Sequence, residues 1–260
     1  MLNRRLVLTL AFVGALALPR LAGAEDVPVI AAASDLQFAL TEIAAAFQAD
    51  TGQRVDLTLG STGTIATQIR QGAPFQMFLA ADEAFIAALH AEGLTRDEGV
   101  LYAEGRLVIM VPHGSALRAD AALTGLAAQL DAGTLSKFAI ANPDHAPYGQ
   151  RAEEALRHAG LWDRVQPHLV LGENVSQAAQ FALSGNADGG IIAWSLALAP
   201  EVAAQGDFAL IPKDWHNSLM QRMVLLPTAG PVAEAFYDFM QSPEAREVMM
   251  KYGFVLPEGP

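Results

Sequence analysis

The stretch Val29-Ile30-Ala31-Ala32-Ala33-Ser34-Asp35-Leu36 constrains this chain most. It has the pattern of a short buried strand that runs straight into a helix. Leu36, Leu40, Ile43 and Phe47 follow at spacings of four, three and four, one side of a 3.6-residue period. Ser34 stands at the junction, where a helix leaves its first N–H groups unpaired and where Ser is a favoured N-cap. An anion in front of such an end meets free donors and the positive end of the helix dipole. One such junction is ordinary capping. Three more follow, at Ser61-Thr62-Gly63, Tyr148-Gly149 and Asn174-Val175-Ser176, and the repetition points to a ligand.

The alternation of strands and helices extends along the chain. Expected strands are 27–33, 55–59, 77–80, 107–112, 138–141, 169–171, 187–193, 208–211 and 223–226, with helices between most of them. The last expected helix carries Val232, Phe236, Phe239 and Met240. Such alternation implies βαβ units, and hence an α/β fold with mainly parallel sheets flanked by helices. Gly105 and the strand after it suggest a domain change near residue 104. The expected division is 25–103 for a first lobe, 104–216 for a second, and 217–260 for a return to the first.

Residues 1–24 have the pattern of an export signal. Arg4 and Arg5 precede an apolar run from Leu6 to Leu18, too short to span a membrane, and Ala22-Gly23-Ala24 supplies a cleavage site after Ala24. The mature chain is then expected outside the cytoplasm, in the periplasm. Removing that segment takes three of the 16 Lys and Arg residues and none of the 28 acids, leaving a formal charge of −15. So acidic a chain is a poor partner for nucleic acid or anionic lipid. Any anion site must therefore be local. The absence of cysteine excludes thiolate metal sites, a Cys nucleophile and disulfides.

Enzymatic motifs are missing. No G-x-S-x-G, P-loop or G-x-G-x-x-G is present, and the six histidines have no zinc spacing. His145, between Pro143 and Pro147, is the one best placed to support a site. What the chain does contain is four turns with small or hydroxylated residues and no Lys or Arg, two before residue 104 and two after. In doubly wound sheets ligands bind at the carboxyl ends of strands. Each lobe would thus supply half of a cleft, and neutral dipoles would hold a small oxyanion.

Six segments lie in the order found in periplasmic molybdate-binding proteins of ABC importers, which this chain resembles from about residue 27 to Leu256. They are Ala31-Ala32-Ala33-Ser34, Gly60-Ser61-Thr62-Gly63, Gln71-Gly72-Ala73-Pro74 with Ala80-Ala81-Asp82-Glu83, Asn142 to Gly149, Gly160-Leu161-Trp162-Asp163, and Glu173-Asn174-Val175. The resemblance implies a two-lobed type II periplasmic binding-protein fold with molybdate or tungstate in the cleft. It also implies delivery to a membrane permease, a monomer, and no cofactor. Carried over by residue, it implies donors at Ser34, at Thr62 or the adjacent Ser61, and at the backbone N–H groups of Tyr148 and Val175. Asp35, His145, Asn174 and Ala193 would stand around them. One subgroup of the family offers a ligand-contacting Tyr where this chain has Ala193, and the chain resembles the other subgroup, with Pro-Tyr-Gly in the loop.

Two expectations concern side-chain direction. Asp35 is expected to face solvent and complement its own helix N-terminus. The ring of Tyr148 is expected to cover the cleft from water. If Asp35 instead faced the ligand it would offer an acceptor, which a protonated oxyanion such as phosphate needs and molybdate, tungstate and sulfate do not. Other tetrahedral oxyanions thus remain an alternative ligand, and an enzyme on the same scaffold a more distant one.

Overall fold

The computed structural model describes residues 27–257; the export signal and its cleavage site lie outside the described residues. Among the described residues, ten strands form two five-stranded sheets. The first sheet contains β1 (Val29–Ala33), β2 (Asp56–Gly60), β3 (Met77–Ala80), β4 (Val100–Gly105) and β10 (Leu219–Leu225), in the order β2-β1-β3-β10-β4. The second contains β5 (Leu107–Pro112), β6 (Phe138–Ala141), β7 (Leu169–Gly172), β8 (Gly189–Ala193) and β9 (Gly206–Leu210), in the order β7-β6-β8-β5-β9. Helices α1 (Gln37–Thr51), α2 (Thr62–Arg70) and α3 (Glu83–Ala91) follow the first three strands. In the second half come α4 (Thr124–Ala132), α5 (Pro147–His158), α6 (Trp162–Val165), α7 (Val175–Leu183), α8 (Trp194–Ala197) and α9 (Pro200–Ala203). Two C-terminal helices, α10 (Pro231–Phe239) and α11 (Pro243–Lys251), close the chain.

Each sheet is mixed, and the two are topological copies. β1 pairs in parallel with β2 and β3, while β10 runs antiparallel to β3 and β4. β6 likewise pairs in parallel with β7 and β8, and β5 runs antiparallel to β8 and β9. Four strands of each sheet therefore point one way, and the reversed one is the strand that arrives from the other sheet. The chain crosses from β4 to β5 through Arg106 alone, and returns from β9 to β10.

The burial follows the sequence pattern. β3, β6 and β8 are buried at every residue, as strands covered on both faces must be. On α1, Ala39, Leu40, Ile43 and Phe47 are buried. Phe47 packs edge-on against Phe236 and Phe239, at centroid distances of 5.2 and 5.5 Å, and so ties α1 to α10.

Three expectations are corrected. β4 was not expected, because Val100-Leu101-Tyr102-Ala103-Glu104-Gly105 does not alternate and carries an acid; Glu104 is paired with Lys213 at 2.8 Å. A further helix, α11, follows the one expected to be last, with Ser242 as its N-cap and a narrow buried face of Ala245 and Met249. Ser34 does not cap its own helix: a 3-10 turn over Ser34–Leu36 precedes α1, and no side-chain cap bond forms there.

Phe47→Ala should cost about 3–5 kcal/mol, the range for removing a large buried aromatic ring. Chemical denaturation of the purified protein checks it; a loss below about 1 kcal/mol would mean that α10 is not held through this ring.

Candidate functional site

Strands β1 and β2 are neighbours in one sheet, and β6 and β7 are neighbours at the corresponding places in the other. Ser34 follows β1, Ser61 and Thr62 follow β2, Tyr148 follows the loop after β6, and Val175 follows β7. All five come together around one small cavity with an empty volume of about 180 Å³, also lined by Asp35, Asn174 and Ala146. A larger space of about 680 Å³ lies between Gln37, Phe38, Ala179, Leu183 and Leu196, but it receives only Ser176 from the four junctions.

The cavity is closed by contacts between the two halves. The Ser61 hydroxyl and the Gly63 N–H both donate to the His145 carbonyl, at 2.6 and 2.9 Å. With its one hydrogen used there, Ser61 Oγ accepts from His145 Nδ1 at 2.9 Å. The Ser176 hydroxyl donates to the Ser34 carbonyl at 2.8 Å, and the Ser195 hydroxyl to the Asp35 carbonyl at 2.8 Å. Arg151 on α5 reaches Asp82, the N-cap of α3, at 2.7 Å, with both side chains mostly buried.

What remains inside is a set of donors. Among the described residues, nothing accepts from the backbone N–H groups of Ser34, Thr62, Tyr148 or Val175. These are the orphan donors of helix starts. Ser34 Oγ accepts from the Ser176 N–H at 3.3 Å and Thr62 Oγ1 from the Ala81 N–H at 3.1 Å. Each hydroxyl keeps its own hydrogen to give away. No Lys or Arg lines the cavity.

The structure separates the other expected site residues. Ser61 spends its hydroxyl on closure. Asn174 caps α7, its Oδ1 accepting from Gln177 N at 3.0 Å. His145 acts through its carbonyl and its bond to Ser61. Ala193 is buried at the end of β8 and does not line the cavity.

Both expectations about side-chain direction are corrected. Asp35 is 1% exposed and turns inward, because the 3-10 turn at Ser34–Leu36 breaks the 3.6-residue phase of the helix. Its Oδ2 accepts from the Tyr148 hydroxyl at 3.0 Å and from Gln221 Nε2 at 2.7 Å. Its Oδ1 is buried without a partner. Burial lifts its pKa to about 6 against the pull of the bonds from Gln221 and Tyr148 and of its own backbone N–H. The Tyr148 ring is likewise no lid: it is buried and its hydroxyl serves Asp35. Burial first, and then the charge of Asp35, hold the phenols of Tyr148 and Tyr102 well above their ordinary value, so both stay donors.

Sequence reasoning missed Gln221, Tyr102, Ser195 and Arg151, and it placed Ser176 in the fourth junction without a role in closure. Gln221 is fully buried and receives the Tyr102 hydroxyl on Oε1 at 2.7 Å. Its signal was present: a Gln between Leu219 and Met223 on the inward side of β10. Gly105 is tied to the same network, since a Cβ there would lie 2.2 Å from the Tyr148 hydroxyl.

Two α/β halves closed over a small, donor-lined cavity define a solute-binding protein. A model of the bacterial extracellular solute-binding protein family matches residues 28–255, and the chain belongs to that family. The molybdate-binding protein ModA of Rhodobacter capsulatus is 38% identical to it over 250 residues, 95% of this chain and 94% of that protein. ModA of Azotobacter vinelandii is 34% identical over 87% of this chain and 89% of its own length. The solved structure of the Azotobacter vinelandii periplasmic molybdate-binding protein superposes with a TM-score of 0.80 at 28% identity, covering 89% of this chain and all of that one.

Gly63 tests the closed geometry. A Cβ there would stand 2.6 Å from the His145 carbonyl oxygen. Gly63→Ala should hold the halves apart and weaken ligand binding by about 1.4 kcal/mol, tenfold, or more. The melting temperature of the ligand-free protein should barely move. Unchanged affinity would show that binding does not need this contact.

Proposed function

We propose that this chain captures molybdate, and tungstate with it, between its two lobes in the periplasm and delivers it to an ABC permease. The observation that carries the reading is the convergence of four unpaired backbone N–H groups, two from each half, on a closed cavity without a cation. Its likeness to proteins named for molybdate supplies the choice of anion. Fixed dipoles hold a dianion without a counter-charge when every donor already points at it.

In this reading the oxyanion donors are the N–H and O–H of Ser34, the N–H and O–H of Thr62, and the N–H groups of Tyr148 and Val175. Ser61, His145 and Asn174 shape and close the site. The lobes follow the expected division, with the first boundary moved from 103/104 to Arg106 because β4 runs to Gly105: lobe 1 comprises 27–105 and 217–257, and lobe 2 comprises 106–216. The mature protein starts after Ala24, acts as a monomer, carries no cofactor and catalyses no reaction. A second reading has one observation in its favour: Asp35 is among the residues that line the cavity and its Oδ1 has no partner, and a site for a protonated anion such as hydrogen phosphate requires an acceptor.

Calorimetry with molybdate, tungstate, sulfate and phosphate in turn tests the function. Molybdate and tungstate should bind tightest, and phosphate tighter than molybdate at neutral pH would overturn the choice of anion. Ser34→Ala should weaken molybdate binding by about 1.5–3 kcal/mol, the range for a hydrogen bond to a charged partner. An unchanged affinity would remove the Ser34 hydroxyl from the donor set.

A further inference from the structure

Among the described residues, Asp35 is the one acidic side chain that lines the cavity. A carboxylate beside an anion site that lacks any cation is repulsive while ionised, yet this one is walled in. Tyr148 of α5 and Gln221 of β10 both donate to Oδ2, and Tyr102 of β4 braces Gln221 from behind. Ser195 at α8 holds the Asp35 carbonyl. The residues that α2 and α7 bring to the cavity, Thr62 and Val175 with Ser61 and Asn174 before them, are not titratable. His145 is engaged with Ser61 and lies 3.4 Å from Glu173. Among the described residues no Lys, Arg or His bonds to Asp35. With Oδ2 already accepting twice, a proton has one place to go, the unpartnered Oδ1.

Protonation changes what the residue does. As an acid, Asp35 contributes an O–H donor to a cavity whose other free groups are donors. As a carboxylate, it contributes an acceptor to an anion that has nothing to donate. We propose that Asp35 is a specificity-determining residue that enters the complex as the neutral acid, its Oδ1–H adding a donor to a fully deprotonated dianion, so that one proton is taken from solvent with each anion bound. This rests on the oxyanion reading above. Direction follows from burial in the closed, empty cavity, which raises the carboxyl to about 6: above that value it is ionised there and must be protonated on binding. Affinity is therefore highest at acidic pH and falls as pH rises through and beyond that value. The arrangement also discriminates against hydrogen phosphate, whose own proton needs an acceptor that the acid no longer provides.

The test is molybdate calorimetry on the full mature protein, in buffers of contrasting ionisation enthalpy and across a pH series. The wild type should take up close to one proton per anion well above that value of about 6, with affinity weakening about tenfold per pH unit there. Asp35→Asn should bind with no proton uptake and a flat pH profile. Tyr148→Phe removes one bond that favours the carboxylate, and should keep the uptake while moving the pH dependence upward. The wild-type proton count and the Tyr148→Phe shift decide the matter even if Asp35→Asn does not fold. Molybdate binding without proton uptake, or an uptake that persists in Asp35→Asn, would overturn the role of Asp35 and leave the function standing. Phosphate binding that Asp35→Asn abolishes, with no molybdate binding, would overturn both and make Asp35 an ionised acceptor.

Discussion

An unpaired backbone N–H cannot be shut away from water cheaply. Leaving one buried without an acceptor costs about 1–3 kcal/mol, and this site closes around four. The bonds that close the cleft, at His145, Ser34 and Asp35, offset part of that cost but supply no acceptor to those four groups. An anion supplies it to all of them at once. Closure and ligand capture are then two sides of one equilibrium: the closed form binds the anion far better than an open one, because only closure brings the donors of both lobes together.

The topology explains why the donors meet. The two sheets share a strand order, and in each the first two parallel strands lie side by side and end in a helix start. Facing two such sheets across a cleft places four helix starts around a point, one of them reached through the loop 142–146 whose His145 carbonyl closes the site. The crossing strands have a related use. β4 carries Tyr102 and Gly105 and β10 carries Gln221, so the segments that join the lobes also build the wall behind Asp35. A shift of one lobe against the other therefore acts on the same carboxyl that lines the cavity.

Much of this was legible in the sequence. β3, β5 and β6 run where their apolar runs place them, because a strand buried on both faces leaves a plain signature. The four junctions were legible because Ser, Thr, Asn and Pro-Tyr-Gly have few other reasons to recur at strand ends. Side-chain direction was not. Asp35 was expected outside, complementing the N-terminus of its own helix, and a single 3-10 turn turns the residue inward. Its partner Gln221 lies 186 residues away, a pairing that no local pattern encodes. Ser61 was legible as a site residue, but its work in closing the cleft depends on a carbonyl 84 residues downstream.

The most direct test of the account is the position of the anion itself. A crystal structure of the molybdate complex, with molybdenum located by its anomalous scattering, should place one tetrahedral ion between the lobes. Its oxygens should lie within about 2.7–3.2 Å of the backbone nitrogens of Ser34, Thr62, Tyr148 and Val175. An ion held by one lobe alone, or lying outside this cavity with those four amides still free, would contradict it.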